Sequence, residues 1–167
     1  MQLEKRVQVD GRELHLNGAA VRTRVIFKVY VAGLYLPSPA ATAQAVIEGD
    51  GPKRIVLVML RDAGAQQFVE SIEHGMRANN SQEQIAAVRP QTEALMSMIR
   101  AVGQAKTGMR IVLDYSASLG GTTLYVDGVA QGPPMAGKGF NQALLRIWLG
   151  DDPVQADLKE ALLGGLQ

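Results

Sequence analysis

Hydrophobic and polar positions alternate with a period of two at the start of the chain. Val7 and Val9, then Leu14 and Leu16, flank Asp10-Gly11, a spacing that predicts two short strands joined by a tight turn. Beyond Asn17-Gly18, the segment from Val21 to Leu36 is rich in Val, Ile, Phe and Tyr and ends at Pro37 and Pro39. Proline cannot continue a sheet ladder, so this predicts one long strand or two in line, stopped at Leu36. Residues 40–48 are alanine-rich and close on Gly49-Asp50-Gly51-Pro52, the pattern of a short helix and a turn. Ile55 to Leu60 is an unbroken apolar run between Lys53-Arg54 and Arg61-Asp62, short enough for a strand buried on both faces.

The period changes at Gly64. Phe68, Val69, Ile72 and Met76 share one helical face, and Asn79-Asn80 ends that helix. Ser81 with Gln84 forms a capping box for a second helix, in which Ile85, Val88, Thr92, Leu95, Ile99 and Val102 recur at steps of three and four. Pro90 either kinks this helix or marks its true start. Met109–Tyr115 and Thr122–Val126 read as strands again, with Asp127-Gly128 as a hairpin turn toward Val129 and a Gly-Pro-Pro loop after it. Phe140, Ala143, Leu144, Ile147 and Trp148 mark an amphipathic helix stopped by Gly150. Asp151-Asp152-Pro153 starts a last helix carrying Val154, Leu158, Ala161 and Leu162. Strands, helices, strands and helices in that order predict an α+β domain, an antiparallel sheet with helices packed on one face, rather than alternating βαβ units. No repeat or linker divides residues 1–167, which read as a single domain.

Composition narrows the function classes. Seventeen Lys and Arg against sixteen Asp and Glu give a net charge of +1, which offers no general electrostatic reason to bind nucleic acid. Without cysteine there is no disulfide, thiolate metal site or cysteine nucleophile. With only His15 and His74 as histidines, no metal and no cofactor are expected. No apolar run approaches the roughly 20 residues of a membrane-spanning helix, and Met1–Arg6 lacks the apolar core of a signal peptide.

No phosphate-binding glycine loop or nucleophile elbow is present. His74, on a helix turn near Glu70 and Glu73, is most simply a solvated or locally hydrogen-bonded histidine, and His15 is no better placed for catalysis. Asp151-Asp152 read as a cap and a dipole-matched charge. Gly18 and Gly120-Gly121 read as turn glycines. A period of two from Arg22 onward sends Arg22, Arg24, Lys28 and Tyr30 to one strand face and Val25, Phe27, Val29 and Val31 to the other. Such a cationic row is either a plain solvent face or a place where one arginine holds an anionic group at the mouth of an apolar cleft. Eight residues of straight strand span ~26 Å, so Arg22 and Tyr30 share a site only if the chain bends or bulges between them.

The stretch LNGAAVRTRVIFKVYVAGLYLP resembles the Gly-x-Gly-x-Arg and Lys-x-x-x-x-Gly-x-Tyr-Leu region of the chalcone isomerase superfamily. NQALLRIWLGDDPVQADLKEALL resembles its C-terminal helix pair, and RIVLVMLRDAGAQQFVESIEHGM falls where that family has a strand and a cleft-lining helix. The resemblance covers nearly the whole chain and is nearest to the bacterial, chalcone isomerase-like branch. It implies an open-faced antiparallel sheet packed against helices, with a ligand cleft between them. It also matches Arg22 to the family arginine that binds an anionic oxygen, either a flavonoid oxyanion or a carboxylate.

The remaining catalytic positions differ. Tyr30 stands in place of a threonine, Met59 of a lysine, Phe68 of a tyrosine and Ile147 of a second threonine or serine, and Gly75 lies near the family's asparagine. Loss of those groups removes most acid–base help and oxyanion stabilisation. The implied function is therefore non-catalytic binding of a small amphipathic acid such as a fatty acid, with Arg22 as anion anchor and Tyr30, Met59, Phe68, Ile147 and Trp148 as lining. The alternative is an isomerase or lyase that uses Arg22 as electrophile and Tyr30 or His74 as base. The family resemblance implies a periplasmic location if an export signal preceded the chain, and a cytoplasmic one otherwise.

Overall fold

The computed structural model describes residues 2–165. The chain opens with β1 (Arg6–Val9) and β2 (Arg12–Arg24), which turn at Asp10-Gly11 with φ of 52° and 73°. Aspartate and glycine enter the left-handed region at low cost, so this turn was legible in the residues. The next break was not. β2 runs straight through Asn17-Gly18, with Asn17 as an extra residue between the pairs Leu16–Tyr35 and Gly18–Leu34 that join β2 to β3 (Phe27–Leu36). The Asn17 side chain accepts from the Ala40 N–H at 3.0 Å and donates to the carbonyls of Ala40 and Leu162 at 2.9 and 2.8 Å. Gly18 is a close-approach glycine rather than a turn glycine, because a Cβ there would sit 1.8 Å from the Ala161 carbonyl oxygen.

The segment Val21–Leu36 is neither one strand nor two in line. It reverses at Val25-Ile26, so β2 and β3 form a hairpin and Arg22 stands directly opposite Tyr30. No glycine, asparagine or proline announced this turn. Val25 itself takes φ of 59°, a conformation that costs a β-branched residue on the order of 1–2 kcal/mol. A second bulge leaves Val29 unpaired between Arg22–Tyr30 and Thr23–Lys28.

α1 (Ala43–Glu48) is capped by the Thr42 side chain, and β4 (Lys53–Met59) follows with every residue but Arg54 buried. β5 (Ala63–Gly64) leads into α2 (Ala65–Asn79), then α3 (Gln82–Ala87) opens on the Ser81–Gln84 capping box. Pro90 falls in the first turn of α4 (Arg89–Val102), so it starts this helix and does not kink it. β6 (Gln104–Ala105) pairs with β5. β7 (Arg110–Ser116), β8 (Gly121–Val126), β9 (Val129–Ala130) and β10 (Met135–Ala136) complete the main sheet. Its strands are antiparallel in the order β1-β2-β3-β4-β7-β8-β10, with β9 beside β8. α5 (Lys138–Leu149) is buried over most of its length. α6 (Ala156–Leu162) begins three residues beyond Pro153, with Gln155 at its N-cap. Asp151-Asp152 therefore do not cap it. They form a turn whose Asp152 N–H and carbonyl are both held by the Asn79 side chain.

The sheet curls, and its two faces differ. One carries Tyr30, Leu34, Leu57 and Leu113 against the helices, and the larger core lies there. The other carries Tyr35, Val56, Val58 and Val112, covered by Val7, Val9 and Leu14 of the first hairpin. Helices on one face of an antiparallel sheet is the α+β architecture that the element order predicts. No helix among the described residues is long and apolar enough to cross a membrane.

Candidate functional site

Two spaces lie between the sheet and the helices, and they meet at Tyr30, Phe68 and Ser71. The inner one, about 70 Å³, is enclosed by side chains such as Leu57, Ile72, Ile99, Leu124, Ile147 and Trp148. Its lining contains no charged residue. The outer one, about 380 Å³, opens to solvent and is lined by Arg22, Arg24 and Arg61 together with Phe27, Val29 and Gln67. Asp62 is the single acid there. Its carboxyl is held below the ordinary carboxylate range by hydrogen bonds from the Thr107 N–H and hydroxyl, and it also lies 3.5 Å from Lys106. None of the three arginines has a carboxylate partner within 4.0 Å among the described residues, so the mouth is a region of uncompensated positive charge.

Arg22 is half-buried and fixed from one side only. Its Nη1 donates to the Thr23 carbonyl at 3.0 Å and to Gln155 Oε1 at 3.4 Å. Gln155 also accepts from the Thr23 N–H at 2.8 Å and donates to the Val21 carbonyl at 3.1 Å, which clips β2 to the start of α6. Nε and Nη2 of Arg22 find no protein acceptor among the described residues, and a guanidinium with free donors in a fixed plane is suited to an oxyanion. Tyr30 stands at the junction. Its hydroxyl accepts from Trp148 Nε1 at 3.1 Å, and burial pushes its phenol above the ordinary tyrosine value against the opposing effects of Trp148 and the Arg22 charge. A phenol so shifted stays protonated at neutral pH and is a poor general base.

The hairpin reversal brings Arg22 and Tyr30 together, which straight-strand geometry forbade. It also overturns the two-face division. Val25, Phe27 and Val29 line the same outer space as Arg22, Arg24 and Tyr30, because the turn and the Val29 bulge break the period of two. Phe68 lines both spaces, and Ile147 and Trp148 line the inner one. Met59 lines neither. Its position opposite Tyr30 in β4 buries it completely in the core. His74 is exposed on α2 and borders neither space. Sequence reasoning missed Arg61 and Gln155. Arg61 carries its guanidinium 4.1 Å from the centre of the Phe27 ring, a contact visible only once Val25-Ile26 is known to be a turn.

An open antiparallel sheet with helices over one face thus encloses a space that passes from an apolar interior to a cationic mouth. A profile described as chalcone isomerase-like matches residues 1–164, and the chain belongs to that family. In three dimensions it is similar to the crystal structure of a fatty-acid binding protein from Arabidopsis thaliana, with a TM-score of 0.67 over 95% of each chain. The two are 14% identical, so the likeness is one of fold. No curated protein sequence matches the chain.

Proposed function

We propose that this protein is a non-catalytic member of its family, of the bacterial branch, that holds a small amphipathic acid such as a fatty acid. The carboxylate sits at the arginine mouth and the chain runs into the apolar interior. One observation carries this reading: the uncharged inner space and the cationic outer space share Tyr30, Phe68 and Ser71 as a common wall. Each methylene that enters the interior contributes about 0.8 kcal/mol, and charge-assisted hydrogen bonds from Arg22 contribute about 1.5–3 kcal/mol. Met59, Phe68 and Ile147 offer no proton to a reacting group, and the raised Tyr30 phenol serves as a neutral wall of the cleft. The fatty-acid binding title of the Arabidopsis neighbour supports the ligand class.

The inner space of about 70 Å³ is smaller than the ~300–1,000 Å³ of ordinary ligand pockets. A long chain therefore has to push aside half-buried side chains such as Phe68 and Ile72. The test is thermal stabilisation by a series of saturated fatty acids and the matching primary alcohols. Acids should raise Tm more than alcohols of equal length, by an amount that grows with chain length until the interior is full. If no acyl chain of any length shifts Tm, this reading fails.

A further inference from the structure

The exposure of the β2–β3 hairpin tip is not accounted for by the cleft, which Val25 and Phe27 only border and Ile26 does not touch. Val25, Ile26 and Phe27 are 87%, 81% and 50% exposed, three consecutive apolar side chains where burial gives no reason for them. Turn chemistry gives none either, since Val25 occupies the left-handed region that glycine or asparagine would enter more easily. The tip also projects. β4 pairs with β3 only from Tyr30 onward, and β1 pairs with β2 only up to His15. The Leu60 N–H still donates to the Val29 carbonyl, so the first two residues of β3 after the turn, Phe27 and Lys28, extend ~7 Å past the ladder at ~3.3 Å per residue. Behind the apolar tip stand Arg24, Lys28 and Arg61, none with a carboxylate partner among the described residues.

We propose that this hairpin tip docks the protein on a lipid bilayer bearing anionic headgroups. Val25, Ile26 and Phe27 enter the interface, and Arg24, Lys28 and Arg61 meet the phosphates. An apolar wedge of this reach fits the depth of about 5–10 Å at which interfacial segments sit, and a collar of cations behind it matches the negative surface potential of such a membrane. A protein partner would call for a surface of larger area, and the tip offers three side chains on a narrow projection. Because Val25 and Phe27 also line the cleft mouth, docking sets that mouth against the bilayer and lets an acyl chain pass between lipid and protein without crossing water. That last consequence rests on the acid-binding reading, whereas the docking does not.

The test is flotation of the full chain with vesicles of phosphatidylcholine, alone or with about one third phosphatidylglycerol. The protein should partition into the anionic vesicles at least about tenfold better than into the neutral ones, and lose that preference in high salt. Ile26→Asp should lower partitioning by about tenfold or more with an unchanged circular dichroism spectrum, because Ile26 is exposed and lines neither space. Lys28→Glu should lower it severalfold and flatten the salt dependence. Absence of wild-type binding to anionic vesicles overturns the proposal, as does unimpaired binding of Ile26→Asp. So does self-association of the lipid-free protein that Ile26→Asp abolishes while vesicles are ignored. Fatty-acid stabilisation that persists without any vesicle binding would sink the docking and leave the cleft reading standing.

Discussion

The inner and outer halves of the cleft are built by opposite means. The inner half is made mostly of apolar side chains from eight elements, β3, β4, β6, β7, β8, α2, α4 and α5, and any of several aliphatic residues would serve at most positions. The outer half depends on one hairpin with its Val29 bulge facing the stretch from Arg61 to Ser71, with one glutamine holding one arginine in place. Burial of hydrocarbon scales with area and is indifferent to direction, whereas recognition of a charged group needs particular donors aimed at a point. On the proposed function, the interior therefore governs stability and how strongly a chain is held, and the mouth governs which head group is accepted.

Substitutions that separate these roles sharpen the contrast. The largest effect is expected in the interior. Trp148→Ala removes a buried aromatic that also donates to Tyr30, and should cost about 3–5 kcal/mol of stability, read as a fall in Tm of roughly 6–20 °C. A Tm within about a degree of wild type would mean that this wall is not packed as described. Tyr30→Phe should have a smaller effect, about 1–3 kcal/mol, since it strands the Trp148 N–H in a buried site. It also has a pH signature. A phenol whose folded value is raised contributes stability that is fully present below the unfolded tyrosine value of about 10 and is lost as pH rises through the folded value. Alkaline destabilisation above about pH 10 should be less steep in Tyr30→Phe than in wild type, as followed by chemical denaturation at each pH. Equal slopes would remove Tyr30 from the account of the junction.

The same division explains what the sequence revealed. Periodic apolar positions such as Phe68, Ile72, Ile147 and Trp148 reported helices and a buried face, and Ser81–Gln84 reported where α3 begins, because each signal acts within a few residues. Pro90 left a kink or a start open, and the run from Ser81 to Val102 is two helices rather than one. The hairpin at Val25-Ile26 carried no such signal. Its turn residues are strand formers, and the reversal goes with the pairing of β2 with β3 and with the bonds that tie β2 to α6, from Asn17 to the Leu162 carbonyl and from Gln155 to the Val21 carbonyl. Reading through that turn placed Val25, Phe27 and Val29 on the wrong face and kept Arg61 out of view. Met59 was assigned to the cleft by correspondence with a family lysine, but it is an uncharged side chain on a central strand and goes to the core. Family resemblance pointed to Arg22, and only the geometry shows its place on the outer space and its free guanidinium donors.

The most direct measurement is the affinity of Arg22→Ala for a fatty acid and for the alcohol of the same length, alongside its thermal stability. If Arg22 anchors an anion, the acid should bind about ten- to a hundredfold more weakly, corresponding to a lost charge-assisted hydrogen bond of about 1.5–3 kcal/mol. The alcohol should bind as before, because burial of its chain does not involve the guanidinium, and Tm should change little. Equal weakening of acid and alcohol, with a marked fall in Tm, would instead make Arg22 a structural clip between β2 and Gln155 and contradict the division of the cleft into an anchoring mouth and an apolar interior.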